Sequence, residues 1–492
     1  MDALPPEIYW NIFMINTERD NETLTLIGSN SDHRLDTARR CSQVCQLWRN
    51  LLLDSSSVWG RLLHIPNLEC TTDTWREVVA CRIGEASLWI TGKVTDSTRP
   101  FIFAILQEKW QNVQQLEVTD NSLYYKDVLA TWSFLEREAP KLEVFQLWTN
   151  MPYEHFRKNP EPILPFSPLF SNTAPRLKIF TLWEPFHFSL PTPWMANLHS
   201  VTFTRPQNGP LILSALKSMP SLRELYVSGS RLEPMFRGEE NDLDKPYLPL
   251  LESLIMVNFD NPMDMILLLE SITLSPAGQR SLLQKLFIPR VDETFPDHQR
   301  VHRAVTKWIH AYTSASPPRH LSLSNYDPIL TLADMRIVDG REAMKVDLFF
   351  DNNQYHVTIQ EIVASLRYSV IEELDVSLAD SPLAWSFRPL FEALHSVTRL
   401  TVDRSYFESF FDDILQFSLF PNLHTIDLLY NNYDTVVIPP VIHFLKQRVL
   451  TGSPLSVLDL SSFDAARLSG RNKKRLDKIP GLSVILPEDS DV

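Results

Sequence analysis

Apolar residues recur along most of the chain in one short pattern: an apolar anchor, two variable positions, a second anchor, one variable position and a third anchor. The alternation over the last three positions is typical of a short β-strand with one face turned inward. The copies begin at Ile83, Val113, Leu142, Leu177, Leu198, Leu222, Leu251, Leu283, Ile371, Val397, Leu423 and Leu455, and a weaker copy is Leu321-x-Leu323. Apart from the gap around the weak copy, successive first anchors are 21 to 35 residues apart. The pattern therefore predicts a repeat architecture.

Between the copies lie stretches with helical spacing of apolar residues. They include 102–110, 127–137, 263–274, 301–312, 359–368, 383–394 and 441–449. A strand followed by a helix, with the next strand parallel, predicts an irregular α/β solenoid over residues 66–492. Several of the 35 prolines stand just before a first anchor, where proline ends a helix and favours extended chain. The array resembles leucine-rich repeats, although the asparagine or cysteine that usually follows the strand is mostly absent.

Two stretches interrupt the predicted array. Residues 149–170 contain five prolines, which is typical of a loop laid over the surface. Residues 345–360 alternate apolar and polar side chains on both sides of Asp351-Asn352-Asn353-Gln354. This second stretch predicts a β-hairpin inserted into the array.

The first residues follow a different, helical pattern. Leu4-Pro5-Pro6-Glu7 suits a helix start, because proline is tolerated in a first turn and glutamate favours the positive end of the helix dipole. The apolar residues that follow share one helical face: Ile8, Ile12 and Ile15. After the polar stretch 16–33, a second helical run begins near Asp36 and continues to Leu52. Residues 1–65 therefore predict a small all-α module, which is too short to bury much surface unaided.

These residues resemble the F-box, particularly the version common in fungal F-box-like proteins. The similar blocks are Leu4-Pro5-Pro6-Glu7-Ile8, Ile12-Phe13, Ser42–Arg49 and Val58-Trp59. The resemblance implies docking onto a Skp-type adaptor, which links substrate receptors to a cullin-RING ubiquitin ligase. The adaptor-binding residues that it implies are Leu4, Pro5, Pro6, Ile8, Ile12, Val44, Cys45, Trp48, Leu52 and Trp59. The alternative is that the apolar N-terminal residues pack against the remainder of the chain as a cap.

Composition narrows the class of protein. The formal charge of −14 argues against general nucleic-acid binding, which depends on neutralising phosphates. Four cysteines in 492 residues are too few for disulfide bonds to stabilise the whole chain, so the cysteine content indicates a reducing compartment. No apolar run reaches the ~18–20 residues of a membrane span, and the N-terminus lacks the pattern of a signal peptide. We therefore expect a soluble protein of the cytoplasm, the nucleus or both, with no membrane partner.

Catalytic and metal-binding patterns are weak. His298 and His302 are spaced i, i+4 on a predicted helix, but Gln299 stands where a zinc protease has a glutamate. The chain contains no P-loop, nucleophile elbow or dinucleotide fingerprint. We therefore expect no enzymatic activity, no metal site and no cofactor.

The variable side chains of each predicted strand should form the binding face of the array. They are neutral and aromatic in the early repeats and acidic in the late repeats. The substrate-binding candidates are Trp148, Trp183, Tyr226, Asp375, Asp403, Asp427 and Asp459. Tryptophan and tyrosine often anchor protein interfaces, and a row of aspartates would suit a basic ligand. The alternative is that the tryptophans lie under the 149–170 loop and the aspartates form a solvated surface.

These patterns together predict a substrate-recruiting subunit of an SCF-type cullin-RING ubiquitin ligase. Residues 1–65 would dock the adaptor, and residues 66–492 would hold a protein substrate whose identity the sequence does not reveal. The alternative function is a ligase-independent repeat scaffold for protein–protein interaction.

Overall fold

In a computed structural model, the protein is a mixed α/β chain of short helices and mostly parallel strands. The structure describes residues 5–16, 34–120, 132–148, 163–166, 168–182, 186–188, 190–204, 208–229, 234–236, 243–259, 261–274, 282–289, 297–326, 329–338, 340–349, 368–378, 387–403, 414–416, 419–429, 438–462 and 470–486.

The helices and strands are short. The α-helices are α1 (Pro6–Ile15), α2 (Arg34–Cys41), α3 (Gln46–Asp54), α4 (Ser56–Arg61), α5 (Ile65–Glu69), α6 (Asp73–Ile83), α7 (Arg99–Lys109), α8 (Gly209–Lys217), α9 (Pro262–Ser271), α10 (His298–Ala315), α11 (Arg388–Ala393), α12 (Ile438–Leu450) and α13 (Gly470–Leu476). The first strands are β1 (Leu63–His64), β2 (Leu88–Val94), β3 (Val113–Asp120), β4 (Val144–Trp148), β5 (Ile163–Phe166), β6 (Ile179–Leu182), β7 (Phe186–Phe188), β8 (Ser200–Thr204) and β9 (Glu224–Ser228). The later strands are β10 (Ser253–Val257), β11 (Lys285–Ile288), β12 (His320–Tyr326), β13 (Ile329–Val338), β14 (Arg341–Phe349), β15 (Glu373–Leu378), β16 (Arg399–Asp403), β17 (Thr425–Leu429), β18 (Val457–Asp459) and β19 (Ser483–Ile485).

The chain divides into two compact units. Unit 1 comprises Met1–Leu251 with Ser271–Thr273, and unit 2 comprises Glu252–Glu270 with Leu274–Val492. The boundary predicted between residues 65 and 66 falls inside unit 1. There β1 pairs in parallel with β2, so the helical module runs directly into the first strands of the array.

Unit 1 contains a parallel sheet whose strands follow the order of the sequence, except that β5 and β7 form a separate pair. The second anchors of successive repeats lie opposite one another across the sheet. This buried row is Leu116, Phe145, Phe180, Val201 and Leu225, and Ile90 of β2 extends it although it is not a predicted anchor. Alternation places these anchors on the inner face, so the register confirms the predicted repeat.

Unit 2 contains a mixed sheet. From β12 onward its parallel strands follow the order β12, β15, β16, β17, β18 and β19. The buried row of second anchors continues there as Leu321, Leu374, Leu400, Ile426 and Leu458. The weak copy at Leu321 is therefore a full member of the array.

Unit 2 contains a β-hairpin that overlaps the start of the predicted one. Strand β14 runs parallel to β11 on one edge and antiparallel to β13 on the other, and β13 is antiparallel to β12. The observed hairpin joins Ile329–Val338 to Arg341–Phe349, and the hairpin predicted for residues 345–360 begins within its second strand. The sequence between these strands is Asp-Gly, a dipeptide that two-residue hairpin connections favour. Residues 350–367, including the expected turn, lie outside the described part of the chain.

The first predicted repeat is out of register. Ile83, its expected first anchor, is the last residue of α6. The strand begins at Leu88, which lies opposite Val113 of the next repeat. The helical spacing of the preceding residues continues as far as Ile83, so the apolar pattern did not mark the boundary between the helix and the strand.

The repeat with the shortest spacing contains a single 3₁₀ turn where the repeat pattern predicts an α-helix. This turn, Pro193–Asn197, precedes β8. The first anchors Leu177 and Leu198 are only 21 residues apart. This length leaves too little chain for a strand, two connections and a packed helix.

Side-chain caps explain several helix starts. Thr72 precedes α6 and accepts a hydrogen bond from the Trp75 backbone N–H. Asn208 caps α8, and Asp297 caps α10, in the same way. Each cap satisfies one of the backbone donors that a first helical turn leaves without a partner.

Several predictions fall on residues outside the described part of the chain. The polar stretch 17–33 lies there, as do residues 127–131 of one predicted helix and 359–367 of another. Within the predicted 149–170 loop, 149–162 also lie outside it, and Ile163–Phe166 is strand β5. The loop prediction is therefore corrected at its C-terminal end, because β5 pairs with β7.

Candidate binding surfaces

The helical module at the start of the chain has its own apolar core. Its buried residues are Phe13, Met14, Leu52, Val58 and Leu62. The Trp48 ring packs on this core, edge-on to Phe13 with ring centroids 5.3 Å apart. The helical run predicted from Asp36 to Leu52 is two helices, because the chain turns after α2 and Cys45 begins α3 in an extended conformation.

The module also exposes apolar side chains. On α1 the exposed fractions are 43% for Ile8, 38% for Ile12 and 65% for Ile15. Val44, in the turn before α3, is 63% exposed, and Leu47, in the first turn of α3, is 43% exposed. We call these five residues the apolar docking face. So many exposed branched side chains in one small module are unusual for a surface that faces only water.

The structure divides the residues implied by the F-box resemblance into exposed and buried groups. Pro5, Ile8, Ile12, Val44 and Cys45 are exposed. Trp48 is half-buried, whereas Leu52 and Trp59 are 2% and 6% exposed. Leu4 and the side chain of Pro6 lie outside the described part of the chain.

Leu52 and Trp59 are therefore corrected from contact residues to core residues. The indole N–H of Trp59 donates to the Leu52 backbone oxygen at 2.8 Å. The Arg82 guanidinium lies over the Trp59 ring, 4.7 Å from its centroid. Both side chains therefore lie in the interior of the protein.

Sequence reasoning missed three exposed apolar residues of the module as site residues: Trp10, Ile15 and Leu47. Ile15 belonged to the i, i+4, i+7 series that identified α1, so this spacing could have placed it on the docking face. Leu47 immediately precedes the half-buried Trp48 in α3. Its exposure follows from the helical turn, which moves adjacent residues to different faces.

In unit 1, the variable strand positions form a continuous polar row. Glu117, Gln146, Thr181, Thr202 and Tyr226 lie opposite one another on successive strands. The Thr181 hydroxyl donates to that of Thr202 at 3.1 Å. Tyr226 is half-buried at the end of the row. This face is largely neutral, as predicted.

Of the two tryptophans predicted as binding anchors in unit 1, the structure describes one. Trp148 is half-buried at the end of β4, opposite Thr119 of β3. Trp183 lies outside the described residues. Their proposed common role as binding anchors therefore stays a prediction.

In unit 2, three of the four predicted aspartates lie along one row of the sheet. Asp375 is opposite Thr401, which is opposite Asp427, and Asp427 is opposite Asp459. Asp403 ends β16, and its side chain is not among those described. Parallel pairing thus brings together residues that are up to 84 positions apart in the sequence.

Cationic neighbours already hold two of these carboxylates. His320 Nε2 lies 2.8 Å from Asp375 Oδ2, and its Nδ1 lies 3.4 Å from a Glu373 oxygen. Arg399 Nε donates to Asp427 Oδ2 at 2.6 Å. The predicted acidic stripe is therefore corrected to a mixed row of charge pairs.

The pKa values of the row follow from these pairs and from burial. The hydrogen bond with Asp375 raises the pKa of His320 above its usual 6.5, and burial opposes this. Burial raises the pKa of Asp427. The neighbouring carboxylates of Asp459 and Asp375 raise this pKa further, and Arg399 lowers it. Burial and neighbouring carboxylates thus both disfavour the charged form of Asp427, and Arg399 offsets them.

Two charged clusters in the interior have structural roles. Arg99 pairs with Asp120, which is fully buried and also accepts the Trp132 indole N–H. In unit 2, the Tyr312 hydroxyl donates to Asp334, which is likewise fully buried. A buried carboxylate requires such partners, because an unpaired buried charge costs several kcal/mol.

The described residues do not assemble a metal centre or a membrane anchor. Within the described ranges, no three His, Cys, Asp or Glu side chains are placed to hold a metal ion. The His298 and His302 rings are 6.4 Å apart, and His302 is 2% exposed in the core of α10. Of the helices that the structure describes, none has the length and apolar character that crossing a bilayer requires.

Comparisons with known proteins identify no family. No family model matches the chain, and no curated protein matches it. Among solved structures, the yeast complex of Rad7 and Elc1 contains a chain with 14% sequence identity and a TM-score of 0.28. That similarity covers 93% of this chain and 98% of the other. Because a TM-score below 0.5 does not indicate a shared fold, the architecture rests on the strand pairing described above, which is that of a repeat-like α/β protein.

Proposed function

We propose that this protein is a substrate-recruiting subunit of an SCF-type cullin-RING ubiquitin ligase. The observation that carries the proposal is the apolar docking face of α1 and α3. It lies on a helical module whose residues resemble the F-box, and the same chain continues into a repeat array. An exposed apolar helical face of this kind is usually covered by a partner.

In this proposal the chain binds and positions proteins, and partner enzymes perform the chemistry. The docking face would contact a Skp-type adaptor, with Ile8, Ile12 and Val44 as direct contacts. Trp48, Leu52 and Trp59 would fix the helices that present them. The strand faces of the two units would hold the substrate in the cytoplasm or nucleus. Trp148, Tyr226 and the Asp375–Asp459 row are the candidate contacts.

Capture by a purified Skp-type adaptor tests the proposal. The full chain should co-purify with the adaptor, and the double substitution Ile8→Asp with Val44→Asp should reduce capture by about tenfold or more, because charged groups would be buried at the interface. Ile337→Asp is the matched control, since Ile337 is 66% exposed on β13 in unit 2. Circular dichroism of each variant checks that folding is retained.

Two outcomes would contradict the proposal. Equal capture of the wild type and the double variant would exclude the docking face as the adaptor site. Failure of the wild-type chain to bind any Skp-type adaptor would favour the alternative, a ligase-independent scaffold that uses the repeats for protein binding.

A further inference from the structure

A cleft of 460 Å³ opens at the edge of unit 1 where the parallel strands begin. Its lining comes from the segments that precede β6, β8 and β9, together with the residue before β4. The relevant side chains are Glu143, Arg176, Lys178, Asn197, His199 and Ser221. None of them belongs to the docking face or to the predicted substrate-binding residues.

The repeat itself brings these residues together. Glu143, Lys178 and His199 each follow the first anchor of their repeat. The Lys178 N–H donates to the Glu143 carbonyl at 2.9 Å, and the His199 N–H donates to the Lys178 carbonyl at 2.7 Å. Arg223 continues the ladder, with its N–H donating to His199. Neighbouring strands are ~4.8 Å apart, so the side chains form a closely spaced row along the edge.

The charge of this row is positive. Glu143 contributes the negative charge among the six polar side chains that line the cleft with Pro175, and its carboxylate is already engaged by Gln114 at 2.9 Å and Lys178 at 3.4 Å. Arg176 and His199 are exposed beside it. The whole chain has a formal charge of −14. This cleft differs, because Arg176 and Lys178 are permanently charged at neutral pH and the Glu143 carboxylate already has hydrogen-bond partners, so the site attracts anions locally.

Unit 2 provides an internal comparison. Its backbone forms the same ladder through Arg319, Glu372, Thr398, His424 and Ser456. The last four of these positions contain no lysine or arginine. A cation at each rung is therefore not required by the ladder, which also accommodates neutral and acidic residues.

We propose that this cleft binds an acidic peptide segment, with a carboxylate or phosphate group against Arg176, Lys178 and His199. The proposal rests on the proposed function for the role of the peptide, which would belong to the recruited substrate. Three strands span roughly 10 Å of the edge, a length that about three extended residues cover. Asn197 and Ser221 add neutral hydrogen-bonding groups, which suit the backbone of such a segment.

Fluorescence anisotropy with the full chain tests the site. The probes are a labelled peptide of about twelve residues with four glutamates, the same peptide with glutamines, and one with phosphoserines. The acidic peptides should bind at least about tenfold more tightly than the glutamine peptide, since ionised acceptors make the stronger hydrogen bonds to cations. Tighter binding of the phosphoserine peptide would identify phosphate as the preferred group, and equal binding would show that carboxylates suffice.

Substitutions of the cleft cations test whether the acidic peptide binds at this cleft. Arg176→Gln with Lys178→Gln should weaken acidic-peptide binding about tenfold, because it removes both fixed cations. Lys93→Gln is the matched control, since Lys93 is an exposed cation of β2 in the same unit, and it should leave affinity within about twofold. Arg176→Gln alone retains the Lys178–Glu143 pair and serves if the double variant does not fold.

The proposal is overturned if the glutamine peptide binds as tightly as the acidic one, or if the variants and the control behave alike. Binding of a single-stranded oligonucleotide as tight as that of the peptides would also overturn it, because a peptide site should discriminate. Adaptor capture is measured separately on the docking face. Peptide binding without adaptor capture would contradict the proposed function alone, and adaptor capture without peptide binding would contradict this inference alone.

Discussion

On the strand face of unit 2, His320 forms ion pairs whose strength depends on its own protonation. His320 of β12 lies between Glu373 and Asp375 of β15. Asp334 of β13 adds to the local negative potential. Protonated His320 therefore links two strands that are neighbours only through tertiary structure.

The His320 pair should make stability depend on pH. The pKa of His320 is raised above 6.5 in the folded protein, so its contribution is complete below that pH and is lost as the pH rises through the raised value. His320→Gln should flatten the decline in the free energy of unfolding between about pH 6 and about pH 8. The effect should stay below about 1 kcal/mol, because the side chain is 32% exposed.

Urea unfolding at several pH values measures this difference. His310→Gln is the control, since His310 is exposed on α10. The assignment fails if the two variants retain the same pH dependence as the wild type.

At the scale of elements, strand β2 passes α5 at a distance that requires glycine. Gly92 has a φ of +110°, and a Cβ atom there would lie 2.5 Å from Pro66 Cδ. Gly452, which follows α12, also has a positive φ of +79°, but a Cβ there would have no neighbour within 4 Å. A substitution at Gly452 therefore tests backbone strain alone, whereas one at Gly92 tests backbone strain together with the steric conflict at Pro66.

Gly92→Ala should destabilise the protein more than Gly452→Ala. A residue with a Cβ costs about 1 kcal/mol in left-handed conformations, and forcing an atom into a packed site adds about 1–3 kcal/mol. We expect a loss of about 2–4 kcal/mol for Gly92→Ala and about 1 kcal/mol for Gly452→Ala. Equal losses in urea unfolding would show that Pro66 does not restrict β2.

At the scale of the whole molecule, a repeat array is stabilised by contacts between neighbouring repeats. In unit 1, Phe145 stacks on Phe180 of the next repeat, with ring centroids 5.6 Å apart, and meets Phe170 edge-on at 5.3 Å. The three side chains are almost completely buried. Loss of one ring should therefore weaken adjacent repeats first.

Phe145→Ala should cost about 3–5 kcal/mol through lost burial and a residual cavity. Hydrogen exchange should accelerate most in β3, β4 and β6, and less in β9 of the same unit. Phe145→Leu, which keeps most of the volume, should have a smaller effect with the same distribution. Uniform acceleration across unit 1 would contradict nearest-neighbour stabilisation and indicate one cooperative block.

The sequence by itself determined the repeat, because the alternation of apolar anchors is local. It placed the anchors of most strands correctly, including Leu374, Leu400 and Ile426. It also indicated the helical module, since i, i+4 spacing requires no knowledge of distant residues. At Ile83 the helical spacing of apolar residues runs into the strand pattern, and the sequence pattern alone did not show where the helix ends and the strand begins.

Only the tertiary structure decided which residues can meet a partner. Trp59 and Ile8 are both apolar residues of the same motif, yet only Ile8 is exposed, because packing of α4 on α6 covers Trp59. The aspartate row, likewise, has partners such as Arg399 that reach it from the neighbouring strand. Exposure and charge pairing depend on register between segments far apart in the chain, which local periodicity does not encode.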